Sequence, residues 1–391
     1  MLWMSSRAVL PLLRAGLLPW RPELLPAASA LRRSVEPVAA EAFAAAVDAE
    51  LRARGADFLH GLERYRHHPY RRALDDPPVL WQEGSTRLLD YGAGGGAPVL
   101  VVPSLINRAY ILDLAEGKSL LRFLAGEGLR PLLVDWGRPA ALERGFTLTD
   151  YIAGRLEAAA AAAGTPVAVL GYCMGGLLAL ALAERRPDLV ASLALLASPW
   201  DFHAERAGQA RLMGEIATPL ARSFAALGEV PVDVLQTLFA ALDPLLALRK
   251  FSRFAGLAPG GDEERDFVAV EDWLNDGVPL ALPVAQECLA GWYGANTPGR
   301  GRWRVAGRAV LPQRVERPCL VVVPAQDRIV PPRTAEAVLG LLPAAERLTA
   351  RLGHIGMMVA REAPRAIWQP LALWLRGHAA PAPRSARRRR A

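Results

Sequence analysis

Two spacings alternate along the middle of the chain. Val99–Val102, Leu132–Val134, Pro166–Leu170, Leu189–Ala197 and Pro318–Pro324 are short, unbroken apolar runs. They have the length and branched content of strands buried on both faces. Between them lie stretches with helical character, such as Phe146–Tyr151 leading into the alanine run Ala158–Ala163. There Thr149 or Asp150 can cap the helix, and alanine propagates it. Such alternation predicts a mostly parallel central sheet with right-handed crossovers and helices on both faces. Ser85–Tyr91 reads as an edge strand leading into the sheet, Arg347–Arg351 as a short late strand, and Val359–Leu375 as a closing helix.

The alternation stops between Asp201 and Glu316, where helical patches and loops carry Trp273, Trp292, Tyr293 and Trp303. This stretch is expected to be a helical cap inserted into the sheet domain; a second domain with its own role is the other reading. Before the sheet, Pro37–Arg66 repeats apolar residues at three- and four-residue spacing and predicts a helix, ended by His68-Pro69 and Asp76-Pro77-Pro78. The expected plan is therefore a flexible leader at 1–36, a helical region at 37–84, sheet core at 85–200 and 317–379, a cap at 201–316, and a disordered basic tail at 380–391.

Composition narrows the function classes. The chain has 391 residues, 52% of them hydrophobic, which is enough for one large core with an insertion. Pro11, Arg14 and Pro19 interrupt the leader, so it fits neither a secretory signal nor the ~20 apolar residues of a membrane span. It has no acidic residue before Glu23, is rich in arginine, and can lie on a lipid surface or act as a transit peptide. The net charge of +7 is partly local, in Arg384 and Arg387–Arg390. With no aromatic-interleaved basic patch, nucleic-acid binding is not expected. The three cysteines, Cys173, Cys288 and Cys319, are odd in number and lie far apart, which points to a reducing cytoplasm instead of a disulfide framework. The six histidines show no metal-ligand spacing, so no metal is expected.

One junction concentrates the chemistry. Pro166–Leu170 runs into Gly171-Tyr172-Cys173-Met174-Gly175-Gly176 and then into the helix formers Leu177–Glu184. The pattern G-x-C-x-G-G matches the nucleophile elbow of α/β-hydrolases, with cysteine in place of serine. Glycines two before and two after Cys173 allow a sharp turn that exposes the sulfur at a helix N-terminus, where backbone N–H groups favour negative charge. A buried free cysteine on a glycine-rich turn is the plainer reading. Further along, Asp327 and His354 each follow an apolar run, in the chain order nucleophile, acid, histidine that this fold uses. A histidine that takes the thiol proton, oriented by a carboxylate, would complete a Cys173-His354-Asp327 triad. The backbone N–H of Met174, with that of Leu105 or Ile106 in the loop after Val99–Val102, would form the oxyanion hole. The fold class is thus α/β, an α/β-hydrolase fold with an inserted cap.

Several stretches together resemble the polyhydroxyalkanoate synthases. The elbow is similar to that family's cysteine lipase box, and Pro103–Leu114 (PSLINRAYILDL) to its P-x-I-N-K-x-Y-I-x-D-L loop. Val134-Asp135-Trp136, Thr147–Ile152, Asp327–Pro331 and Gly353-His354-Ile355 also match family signatures. Departures are the extra residue at Leu105, Arg328 after the aspartate, and Trp273-Leu274-Asn275-Asp276 as a loose form of the cap signature W-N-x-D. The short N-terminal region looks like the class that works with a second subunit.

The resemblance implies that Cys173 takes a (R)-3-hydroxyacyl group from a coenzyme A thioester, which is substrate and not cofactor, and that the 3-hydroxyl of the next unit attacks the acyl enzyme. His354 would deprotonate the thiol, while Asp327 would orient His354 or help activate the hydroxyl. A second synthase subunit, a granule-associated protein or a homodimer are the partners it allows, in the cytoplasm or at the surface of polymer granules. The same residues would serve a cysteine hydrolase of esters, lactones or short polyesters if water reached the acyl enzyme. A silent granule-associated protein is the third reading, favoured if Cys173 is buried and unpaired.

Overall fold

The computed structural model describes residues 2–92, 95–241 and 243–379, so the expected basic tail at 380–391 lies outside the described residues. The described residues form two compact units, one within 71–241 and 269–379 and one of 2–70 with 243–268.

The first unit holds an eight-stranded sheet: β1 Val79–Glu83, β2 Thr86–Asp90, β3 Ala97–Val102, β4 Leu129–Asp135, β5 Val167–Tyr172, β6 Val190–Leu196, β7 Cys319–Pro324 and β8 Ala345–Ala350. Their order across the sheet is β1-β2-β4-β3-β5-β6-β7-β8. Only the β1–β2 and β2–β4 pairs are antiparallel; the other five are parallel. β5 and β7 are buried at every residue and β3 at all but its first, as expected of parallel strands covered on both faces.

Register decides where the site falls. Val102 of β3 lies beside Gly171 of β5, and Tyr172 beside Leu196 of β6. Leu196 in turn lies beside Val322 of β7. The loops after β3, β5 and β7 therefore emerge along one carboxyl edge of the sheet, where α/β proteins place their sites.

Several expectations are corrected here. The sheet starts at β1, before position 85, because Gly84 turns at φ 60° and pairs Val79–Glu83 with β2 as a hairpin. β2 is thus an inner strand, and the largely exposed V-L-W-Q-E run is the edge. The predicted caps Thr149 and Asp150 give way to a reciprocal arrangement in which Thr147 donates from its N–H and hydroxyl to Asp150 Oδ2, at 2.8 and 2.6 Å. Thr149 instead accepts from the Ala306 N–H at 3.0 Å. The closing helix is not continuous from Val359: Gly356–Val359 ends, Pro364 starts a new segment, and Gln369–His378 completes it.

The insertion also divides. Within the first unit it contributes the helices Ala207–Glu215, Ala217–Phe224 and Val232–Ala240 and the π-helix Glu287–Gly294. Residues 243–268 belong to the second unit, so the single cap read over 201–316 is two pieces.

In that second unit the helix Leu246–Ala255 packs on Ala40–Arg66. Gly61 permits the approach, since a Cβ there would stand 2.0 Å from the Phe251 carbonyl oxygen. Arg64 donates to the carbonyls of Ala255 and Leu257 at 3.1 and 2.7 Å and to Glu264 Oε1 at 2.6 Å. The leader, expected to be flexible, carries the helices Leu2–Ala15 and Leu25–Val35. Its alanine, leucine and arginine content propagates helix, and Pro26 falls in a first turn where its missing N–H costs nothing. Among the described residues, no helix is long and apolar enough to cross a membrane.

Candidate active site

The strand-to-helix turn after β5 is tight. Cys173 has φ 56° and ψ −130°, a conformation rare for a residue with a side chain, and the helix Met174–Arg185 starts at the next residue. Strain of this kind costs on the order of 1–3 kcal/mol and persists only where the surroundings impose it.

Three glycines impose it. A Cβ on Gly171 would lie 2.5 Å from Gly176 Cα; on Gly175, 2.1 Å from the Val102 carbonyl oxygen; on Gly176, 1.7 Å from Ser198 Oγ. The Gly175 contact is with backbone, which cannot rotate away. Gly175→Ala is therefore expected to lower stability by about 3 kcal/mol or more, because the helix must lift off the end of β3. Denaturant melting followed by circular dichroism checks this, and a wild-type midpoint would contradict it.

Asp327 and His354 follow β7 and β8. Asp327 is 4% exposed and His354 8% exposed. The carboxylate is fully engaged: Oδ1 accepts the N–H groups of Ile329 and Val330, both at 2.8 Å. Oδ2 meets His354 Nδ1 at 2.7 Å. With Nδ1 so occupied, Nε2 is the ring nitrogen left free of Asp327. Burial pulls the imidazole pKa down, but the charge of Cys173, the hydrogen bonds to Asp327 and Cys173 and the charge of Asp327 together push it up to about 10. The arrangement favours the protonated imidazole.

The loop after β3 bears the other expected donors. The Ile106 N–H, one of the two candidate donors in this loop, is already donated to Ser104 Oγ at 3.0 Å. Trp136 Nε1 donates to the Pro103 carbonyl at 3.1 Å and so fixes the start of this loop. Its far end is clamped from the insertion: Trp273 Nε1 donates to the Arg108 carbonyl at 2.8 Å, and Arg108 Nε meets Asp276 Oδ1 at 2.7 Å. The loose W-N-x-D signature thus supplies two residues that hold the loop, a role its spacing alone did not reveal.

Above the rim, Trp200, Phe202, Trp292, Tyr293 and Trp303 pack with ring centroids 4.8–6.4 Å apart. Phe202 and Tyr293 also line a cleft of about 70 Å³ whose polar members include Arg206, Gln209 and Arg328. Burial and the charge of Cys173 push the Tyr293 phenol up, which sets that hydroxyl in the field of the sulfur. Among the described residues, no three His, Cys, Asp or Glu side chains gather in a metal-binding group.

Comparison with known proteins agrees with this frame. A family model of the alpha/beta hydrolase fold matches residues 150–360. The poly(3-hydroxyalkanoate) polymerase subunit PhaC of Synechocystis is 31% identical over 293 residues, covering 71% of this chain and 77% of that one. The subunit of the same name from Haloferax mediterranei is 29% identical over 313 residues, covering 76% of this chain and 63% of that one. The chain thus spans less than two thirds of the Haloferax relative's length. The solved structure of BpoC from Mycobacterium tuberculosis shares the fold, with a TM-score of 0.50 at 17% identity, over 80% of this chain and 100% of that one. On the family model's span and the Synechocystis match, the chain belongs to the alpha/beta hydrolase fold family and, within it, to the poly(3-hydroxyalkanoate) polymerase PhaC subunits.

Proposed function

We propose that this chain is an acyltransferase that builds polyhydroxyalkanoate from (R)-3-hydroxyacyl-coenzyme A, with Cys173 carrying the growing acyl group. The observation that supports this reading is the buried Asp327–His354 pair at 2.7 Å, with Cys173 on the elbow bearing on the same imidazole, in a chain related to polymerase subunits.

The Cys173 sulfur, its proton held on His354 Nε2, attacks the thioester carbonyl. The oxyanion is met by the N–H groups of Met174 and Leu105, and coenzyme A leaves with the proton from the imidazolium. The 3-hydroxyl of a second unit then gives its proton to His354 and attacks the acyl thioester, returning the sulfur and extending the chain by one ester bond. Asp327 keeps Nδ1 protonated and the ring oriented throughout. A thiolate attacking a thioester exchanges one such bond for another, so the acyl enzyme can wait for an alcohol. A second synthase subunit completes the reading, with the protein acting in the cytoplasm at the polymer surface.

The test incubates the purified chain with 3-hydroxybutyryl-coenzyme A, alone and with a second synthase subunit, and follows thiol release and turbidity together. Release with turbidity is expected. Release of free hydroxy acid without turbidity would make the chain a hydrolase, and silence in both preparations would remove the acyltransferase reading.

A further inference from the structure

We propose that Tyr172 is a positioning residue for His354: its hydroxyl pins the histidine loop, and its ring face supports the imidazole in its protonated form. This rests on the reading of His354 as the partner of Cys173.

Tyr172 is the last residue of β5, immediately before the elbow, and is 4% exposed. Its hydroxyl donates to the backbone carbonyl of His354 at 3.1 Å, a buried bond joining positions 182 residues apart. Its ring stacks on the imidazole with centroids 5.1 Å apart and planes 28° apart. A large aromatic at the end of a central strand could simply fill space. A space-filling ring would not need a hydroxyl, however, and a buried hydroxyl must find an acceptor. The acceptor taken here belongs to the histidine itself. Burial first, then the charges of Cys173 and Asp327, push the phenol well above its ordinary range, so it remains a donor at every working pH.

The two contacts do different things. The hydroxyl bond fixes where the loop Gly353–Gly356 stands relative to β5, and hence how far Nε2 lies from the sulfur that follows Tyr172. The ring presents its electron-rich face to an imidazole that must become cationic when it takes the thiol proton. The titratable groups that bear on His354 are Cys173, Asp327 and Tyr172. The first two act through charge and hydrogen bonds along the ring edge, which leaves the ring face to tyrosine.

Tyr172→Phe removes the hydroxyl and keeps the ring, whereas Tyr172→Leu removes both; Tyr172→Met replaces the leucine variant if that one does not fold. The imidazole titration of His354 is followed by NMR in the unreacted protein, alongside kcat and KM for coenzyme A release. The leucine variant is expected to titrate about half to one pH unit lower than wild type, since a cation over an aromatic face is worth that much. The phenylalanine variant, which keeps the ring, is expected to titrate closer to wild type than the leucine variant but to lose up to about tenfold in kcat at unchanged KM, the worth of one neutral hydrogen bond.

A leucine variant that titrates as wild type, or a phenylalanine variant with wild-type kcat, overturns the assignment. Failure of the acyltransferase reading would look different: wild type would release no coenzyme A, while the titration comparison could still be made.

Discussion

Cys173→Ala is expected to abolish release of coenzyme A and, in the same protein, to move the titration of His354 to lower pH. Loss of release is what the proposed nucleophile requires, and Cys173 alone of the three cysteines is partly exposed, the other two being buried. The titration shift follows from the two upward influences that leave with the sulfur, its charge and its hydrogen bond, so that burial meets only the pull of Asp327. The sign for stability is also set. A histidine raised from its ordinary 6.5 to about 10 adds stability that is complete below about 6.5 and lost as pH rises through 10. The alanine variant should therefore show less alkaline destabilisation than wild type between those values. Measurable release by Cys173→Ala would end the nucleophile assignment, and an unmoved titration would separate the sulfur from the imidazole.

His354→Gln is expected to slow acylation by about two to four orders of magnitude, the usual worth of a general base. Glutamine keeps a hydrogen-bonding amide near Asp327 but can neither take nor return a proton. The loss should appear in both acyl transfer to Cys173 and onward transfer to the alcohol, because in the proposed mechanism the same nitrogen serves both steps. Single-turnover release of coenzyme A reads the first step alone. A loss under tenfold would mean that the imidazole only fills space beside the sulfur.

Much of this site was legible in the sequence because the signals are local. The spacing of glycines around Cys173 encodes a turn whether or not anything packs on it, and the apolar runs before Asp327 and His354 encode strands whose carboxyl ends hold loops. Other features were not legible. Whether Leu105 or Ile106 offers a free N–H depends on Ser104 reaching back to one of them. The first strand is not legible because a largely exposed edge run lacks the apolar continuity of its buried neighbours. Tyr172 looked like the variable position of a motif, since nothing nearby in the chain hints at a histidine 182 residues away.

The sequence by itself determined the α/β frame, the elbow and the order of Cys173, Asp327 and His354 along the strand ends, because hydrophobic period and glycine spacing act over a few residues at a time. The tertiary structure alone decided what holds them: Trp273 and Asp276 on the loop after β3, Tyr172 on the imidazole, and the assignment of 243–268 to the second unit. The physical reason is that a hydrogen bond or a ring contact forms between atoms that folding brings within a few ångströms, and sequence separation carries no measure of that distance.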